Sequence, residues 1–499
     1  VKRLFLALVL STTLWGGTPA ALEWAPWSDD VFARAKREDR FVLLDLEAVW
    51  CHWCHVMDAT TYRDPEAVAL LKSKYIAVKV DQDSRPDFAS RYEDYGWPAT
   101  IVFDRGGHEI VKRQGYISPR EMVSMLRAIV IDPSPGPSVV AEQPIEYAAS
   151  PSLSADLRKQ LQGNYRVRYD SRNGSWGFGQ KFLDWDGVEY AMLLARQGDT
   201  AAEKMALQTL AAQLNLIDPV WGGVYQYSTD GDWKHPHFEK IMQFQAENIR
   251  IYAMAYQQWH KPEHLRATLD IHRFLKMFLT SPDGAFYTSQ DADLIDGQHS
   301  AGYFKLNDAE RRRLGIPRVD RHIYARENGW AIGALATLYQ VSGDRTYLNE
   351  AERAARWAIE HRSLEGGGFR HDEKDASGPY LGDTLAMTRA FLSLYTATHS
   401  RDWFERAQSG LEFIAANFRN TAGPGYVTAR NAKDSAYRPR PERDENAALA
   451  RAAILAWHYS GDARFRRIAE WAMRYVVTPQ VARDYTAAPA LLADAEWGR

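Results

Sequence analysis

Hydrophobic and polar positions divide the chain into two regimes. Up to about residue 131 the apolar residues come in short runs separated by polar breaks. Phe41-Val42-Leu43-Leu44-Asp45-Leu46 is a run of buried-strand length, and Tyr75-Ile76-Ala77-Val78-Lys79-Val80 is a second. Between them Pro65 to Lys74 reads as a helix, with Asp64 as N-cap and Pro65 at the first helical position. Thr100-Ile101-Val102-Phe103 and Glu109-Ile110-Val111-Lys112 predict a hairpin around Asp104-Arg105-Gly106-Gly107. Ser118-Pro119 opens a last helix to about Ile129. The alternation predicts a small α/β domain over residues 23–131.

A Pro-rich stretch over 132–151 carries no periodicity and reads as a linker. Beyond it strand signals nearly vanish and amphipathic helices recur in pairs. Tight polar turns start some helices: Gly198-Asp199, Gly343-Asp344, Ser400-Arg401-Asp402 and Gly461-Asp462. Longer breaks carry glycine and an aromatic residue, as in Trp176-Gly177-Phe178-Gly179, Trp221-Gly222-Gly223 and Gly366-Gly367-Gly368-Phe369. The spacing gives about a dozen helices, or six hairpins, over 152–499. Short turns on one side and long loops on the other suit a closed α/α toroid with the long loops at one mouth. A solenoid is the alternative.

Residues 1–22 have the form of a secretory signal peptide: Lys2-Arg3, an apolar stretch from Leu4 to Leu14, then small residues around Ala20-Ala21. No later segment is apolar enough to span a bilayer, so the expected mature protein has no membrane span and is periplasmic or secreted, where a disulfide persists. A net charge of -3 leaves no electrostatic footprint for nucleic acid. The 17 Trp and 25 Tyr serve packing or sugar stacking.

The chemistry concentrates in Trp50-Cys51-His52-Trp53-Cys54-His55, which holds the only two cysteines of 499 residues. Two such thiols can close a redox-active disulfide. With His52 or His55 they can also ligate zinc, and the string fits c-type haem attachment. The context favours the disulfide, with neither metal nor haem as cofactor. The pair follows a buried strand and opens a helix, whose N-terminal dipole stabilises a thiolate. Asp45 stands six residues before Cys51, where thioredoxins keep a buried acid that helps deprotonate the resolving thiol. Trp97-Pro98-Ala99-Thr100 matches the loop whose cis-proline faces the disulfide. These features read as a catalytic set of Cys51, Cys54, His52, Asp45 and Pro98, with Trp50 and Trp97 beside the substrate. His52, between the thiols, is placed to tune Cys51; His55 is expected to be an exposed helix residue.

The same run, with Val78-Lys79-Val80-Asp81 and Gly96-Trp97-Pro98, resembles the spermatogenesis-associated protein 20-like thioredoxin-domain family. The likeness continues through Gly177-Phe178-Gly179, Pro236-His237-Phe238-Glu239-Lys240 and Gln290-Asp291-Ala292-Asp293. It implies a thioredoxin-like domain fused to a six-hairpin, glycosidase-like (α/α)6 barrel. Where other members continue His-Phe-Glu-Lys into Tyr-Asp-Asn, this chain has Gln243-Phe244-Gln245 and lacks that carboxylate.

In the helical part, His235, His237 and Glu239 share one long loop and Asp291 and Asp293 the next; Glu327 and Asp383 start later helices. If the loops share a mouth, His237, Glu239, Asp291, Asp293 and Asp383 converge on a substrate cleft. Carboxylates across a cleft suit glycosidic hydrolysis, and a His facing a Glu suits sugar epimerisation. The same residues also serve as helix caps and loop braces. Three function classes follow: a thiol–disulfide oxidoreductase whose barrel holds a client protein, redox partner or glycan; a carbohydrate-active enzyme with an accessory thioredoxin-like domain; and a non-enzymatic binding module. In the first, the barrel is expected to cover part of the Cys51 face.

Overall fold

The computed structural model describes residues 22–140, 143–375, 377–430, 438–483 and 486–498. The expected signal segment therefore lies outside the described residues, save for Leu22. The N-terminal domain runs α1 (Val31–Glu38), β1 (Phe41–Glu47), α2 (His52–Ala59), α3 (Pro65–Lys74), β2 (Tyr75–Asp81), α4 (Pro86–Tyr92), β3 (Ala99–Phe103), β4 (Glu109–Gln114) and α5 (Pro119–Ile131). Asp64 accepts from the backbone N–H groups of Glu66 and Ala67, and Pro65 follows as the first helical residue of α3. Ser118 and Glu121 close a capping box at the start of α5.

The sheet order is β2-β1-β3-β4, with β1 parallel to β2 and antiparallel to β3. Alternation along β1 sends Val42, Leu44 and Leu46 into one core with Val31, Phe32 and Phe88. It sends Phe41 and Leu43 into the other, with Met57 of α2, Leu71 and Leu126. Asp45 shares the parity of Leu43, so the one acid of this strand's centre is driven to the α2 side, opposite Lys79 and Thr100.

The helical region is a closed ring. Its inner helices are Trp185–Arg196, Met242–Trp259, Ala325–Ser342, Leu381–Thr398, Arg443–Ser460 and Ala488–Trp497. Each packs on the next, and the last returns to the first, which excludes an open solenoid. Outer helices alternate with them in sequence, beginning at Ala155–Val167 and ending at Ala463–Val476. Tight turns lead from inner to outer helices and long loops from outer to inner, so the inner N-termini gather at one mouth. Two inner helices approach closely where a Cβ on Gly329 would stand 2.5 Å from the Ala386 carbonyl carbon.

The 132–151 stretch is fastened to both domains. Gly136 donates to the Ile110 carbonyl and Lys112 N–H to Ser138 Oγ, while Ala148 N–H reaches Thr478 Oγ1 at 3.0 Å. No helix among the described residues is long and apolar enough to cross a membrane.

Candidate functional site at the domain seam

Strand β1 delivers the chain to Cys51, which caps α2, and Cys51 and Cys54 form a disulfide with Cα atoms 5.3 Å apart. Cys51 Sγ accepts from Cys54 N–H at 3.2 Å. Each cysteine is only 3% exposed. Their cover is shared: Trp50 and Trp97 come from the N-terminal domain, and Ile241 and Phe244 from the toroid. The Trp97–Pro98 bond is cis, and Gly115 N–H donates to the Pro98 carbonyl at 2.8 Å.

Asp293, from a toroid loop, holds both histidines of the motif. His52 Nδ1–H donates to Asp293 Oδ1 at 2.7 Å, and His55 Nδ1–H to Oδ2 at 3.2 Å. Gly297 N–H donates to the same carboxylate. Burial opposes ionisation of Asp293, but the two histidine bonds outweigh it and bring its pKa down to about 2. For His55, burial pulls the pKa down, while the Asp293 bond and the charges of Asp291, Asp296 and Asp293 raise it overall. Asp291 is pushed up to about 6 by burial, against the pull of His55. Arg318 completes the clasp, donating to the Val49 carbonyl at 2.6 Å and to Asp291 at 3.2 Å.

This overturns the expectation of an exposed His55: the ring is buried because the toroid sits over this face of α2. Ligand atoms of His55, Asp291 and Asp293 lie within 4.8 Å of one another, a spacing that suits a metal ion. The Arg318 guanidinium, 3.1 Å from His55 Nε2, already supplies the positive charge of that cluster.

Asp45 is buried beneath the motif, 3.4 Å from Lys79 Nζ. Burial pushes its carboxyl up to about 7, against the pull of Lys79. Asp45 Oδ1 has no hydrogen-bond partner among the described residues, nor have Tyr62 Oη and Thr100 Oγ1.

A family model described as "Protein of unknown function, DUF255" (Thioredox_DsbH) matches residues 7–131. The chain is 25% identical over 414 residues to mouse spermatogenesis-associated protein 20, covering 76% of this chain and 49% of that protein. The chain is similar to the spermatogenesis-associated protein 20 proteins along most of its length.

It spans about half the length of that mouse relative. Thioredoxin of Alicyclobacillus acidocaldarius is 30% identical over 104 residues, covering 21% of this chain and 94% of that protein. The toroid resembles a D-mannose isomerase structure at a TM-score of 0.54 and 12% identity, over 70% of this chain and 99% of that one. It also resembles a sugar epimerase from a ruminal bacterium at 0.50 and 14%, over 66% and 86%. At those identities the likeness shows the fold alone. The chain therefore joins a thioredoxin-like domain to a six-hairpin glycosidase-like toroid.

The toroid axis holds a cavity of about 580 Å³, roofed by the thioredoxin-like domain. Trp50, Trp97, Ile241 and Phe244, the four residues over the disulfide, also line it. Glu327, paired with Arg326 at the start of its helix, lines it too.

Other residues expected at the cleft lie elsewhere. The pairing of Tyr227–Ser228 with Pro236–His237 folds their loop back on itself, so His237 stacks on Tyr227 and lies 3.8 Å from Glu239, away from the cavity lining. Asp291 and Asp293 turn towards α2. Asp383 is buried, accepting from Arg326 N–H and His371 Nδ1–H. His371 in turn bonds the Asp83 carbonyl, and Asp83 accepts from Trp50 Nε1. A chain of bonds thus joins the cysteine loop to the cavity rim.

The expected set left out Arg318, His371, Asp83 and the inner-helix polar residues other than Glu327 and Asp383. Those inner-helix residues carry a legible signal. Arg389 is the single charged residue in the Ala386–Thr398 stretch of its helix, whose other charge, Asp383, lies in the first turn.

Proposed function

We propose that this protein is an exported thiol–disulfide oxidoreductase whose toroid holds the client, a thiol- or disulfide-bearing molecule, against the Cys51–Cys54 site. The observation that carries this reading is the shared wall: the residues covering the disulfide are also the lining of the toroid cavity. In the reduced form, the Cys51 thiolate attacks a client disulfide and expels one client thiolate. Cys54 then displaces the second, closing the Cys51–Cys54 bond; the client gains two electrons and the protein loses two. The reverse sequence oxidises a dithiol client. Asp45, with its carboxyl near neutrality, takes and returns the proton of the buried resolving thiol. His52, fixed by Asp293, orients its ring beside Cys51. No metal or haem has a part in this scheme.

The test compares insulin disulfide reduction, and oxidation of a dithiol peptide, by wild type and Cys51→Ser. Activity in the wild type lost by at least a hundredfold in the variant is expected. Equal rates would remove the proposal.

A second reading is favoured by the cavity: the toroid takes a carbohydrate. Its supports are the fold shared with a D-mannose isomerase and a sugar epimerase, and the Trp185, Trp330 and carboxylate lining.

A further inference from the structure

Six inner helices begin at the mouth of the toroid, and three of them carry an arginine eight residues further in: Arg250, Arg389 and Arg451. At helical rise this places all three about 12 Å below the mouth. Their guanidinium groups form a cationic floor between the central cavity and a second cavity of about 450 Å³ on the far side.

Two of the three are neutralised. Arg250 pairs with Glu189 at 2.7 Å and Glu247 at 2.6 Å. Arg451 pairs with Glu189 and with Glu496. The Arg389 guanidinium makes no hydrogen bond or ion pair with the described residues, although it lines both cavities. Glu247 and Asp186 act on it only through space, and Glu247 is already paired with Arg250, so the N–H donors of Arg389 are left for a ligand that brings its own acceptors.

The walls above it suit a ring. Trp185 and Trp330 line the cavity from two different helices, and the volume falls in the roughly 300–1,000 Å³ range of small-molecule sites. Glu247 and Glu327 in the lining are paired with Arg250 and Arg326, but Asp83, Asp186, Glu93, Glu442, Asp444 and Glu445 would repel an anion if fully charged, and burial holds Asp186 up at about 7. Burial holds Glu442 up at about 7 and raises Glu93 and Glu445 well above the carboxylate range, so near neutral pH that repulsion is blunted.

We propose that the central cavity binds a carboxylate-bearing sugar, its ring between the tryptophans and its acid group on Arg389. The inference rests on the second reading above and narrows it to acidic sugars. It is independent of redox turnover.

Titration calorimetry of the full-length protein with D-glucuronate, D-glucose and the uncharged D-glucuronamide tests it. Glucuronate is expected to bind at least tenfold more tightly than either neutral sugar. Arg389→Gln should abolish that preference. Arg389→Lys, which keeps the charge, should retain part of it and guards against a folding defect in the first variant.

Neutral sugars binding as tightly as glucuronate would overturn the inference and leave the carbohydrate reading standing. A preference that survives Arg389→Gln would also overturn it. Failure of all three sugars to bind would remove both.

Discussion

At the scale of single residues, Asp293 is the most consequential position outside the cysteines. One carboxylate accepts from His52, His55 and Gly297, and so binds the CHWCH helix to the toroid. Asp293→Asn keeps the shape but leaves at least one histidine N–H facing an amide. The expected loss is about 1–3 kcal/mol, read as a lower melting temperature. The sign of the pH dependence follows from the shifts. Asp293 is depressed to about 2, so its contribution is present above the unfolded value near 4 and lost as pH falls through about 2. His55 is raised, so its contribution is complete below about 6.5 and lost as pH rises through its folded value. Asp291, raised to about 6, adds a cost to ionisation in that direction. The clasp is expected to be most stabilising near pH 4, losing ground to Asp291 up to about pH 6 and to His55 above about 6.5. Thermal melts from pH 3 to 9 check this; a wild-type minus Asp293→Asn difference that is flat with pH would contradict it.

At the scale of elements, the ring depends on close helix crossings. At Gly329 a side chain would meet the backbone of Ala386 rather than a movable side chain. Gly329→Val is therefore expected to destabilise by about 1–3 kcal/mol or to prevent folding, despite valine's apolar character, and Gly329→Ala to act in the same direction less strongly. Denaturant unfolding of the alanine variant measures it; a stability equal to wild type would mean the helices part without cost.

Elements of this kind were legible in the sequence because their signals are local. The β1 run, the Asp64–Pro65 helix start and the Ser118 cap depend on neighbours within a few residues, and all three stand where they were expected. The alternation of tight turns and glycine-rich loops gave the toroid. The partners of polar side chains were not legible, because they depend on how loops fold back. His55 and Asp293 are 238 residues apart. His237 was drawn away from the expected cleft by a two-residue strand pairing that periodicity does not register.

At the scale of the molecule, the two domains enclose what neither contains alone. The thioredoxin-like domain supplies the roof of the toroid cavity, and the toroid supplies half the cover of the disulfide. Because each cysteine is 3% exposed, thiol exchange at this site requires the seam to open. The seam is held by Asp293 and Arg318, by the His371–Asp83 bond, and by the strap over 132–151 fastened at both ends.

The most direct measurement is the rate at which dithiothreitol reduces the Cys51–Cys54 bond, followed by thiol trapping under native conditions at pH 7. Slow, complete reduction is expected in the wild type, and a rate at least tenfold higher in Asp293→Asn. A disulfide reduced at the same rate in both proteins would contradict a redox site governed by the toroid.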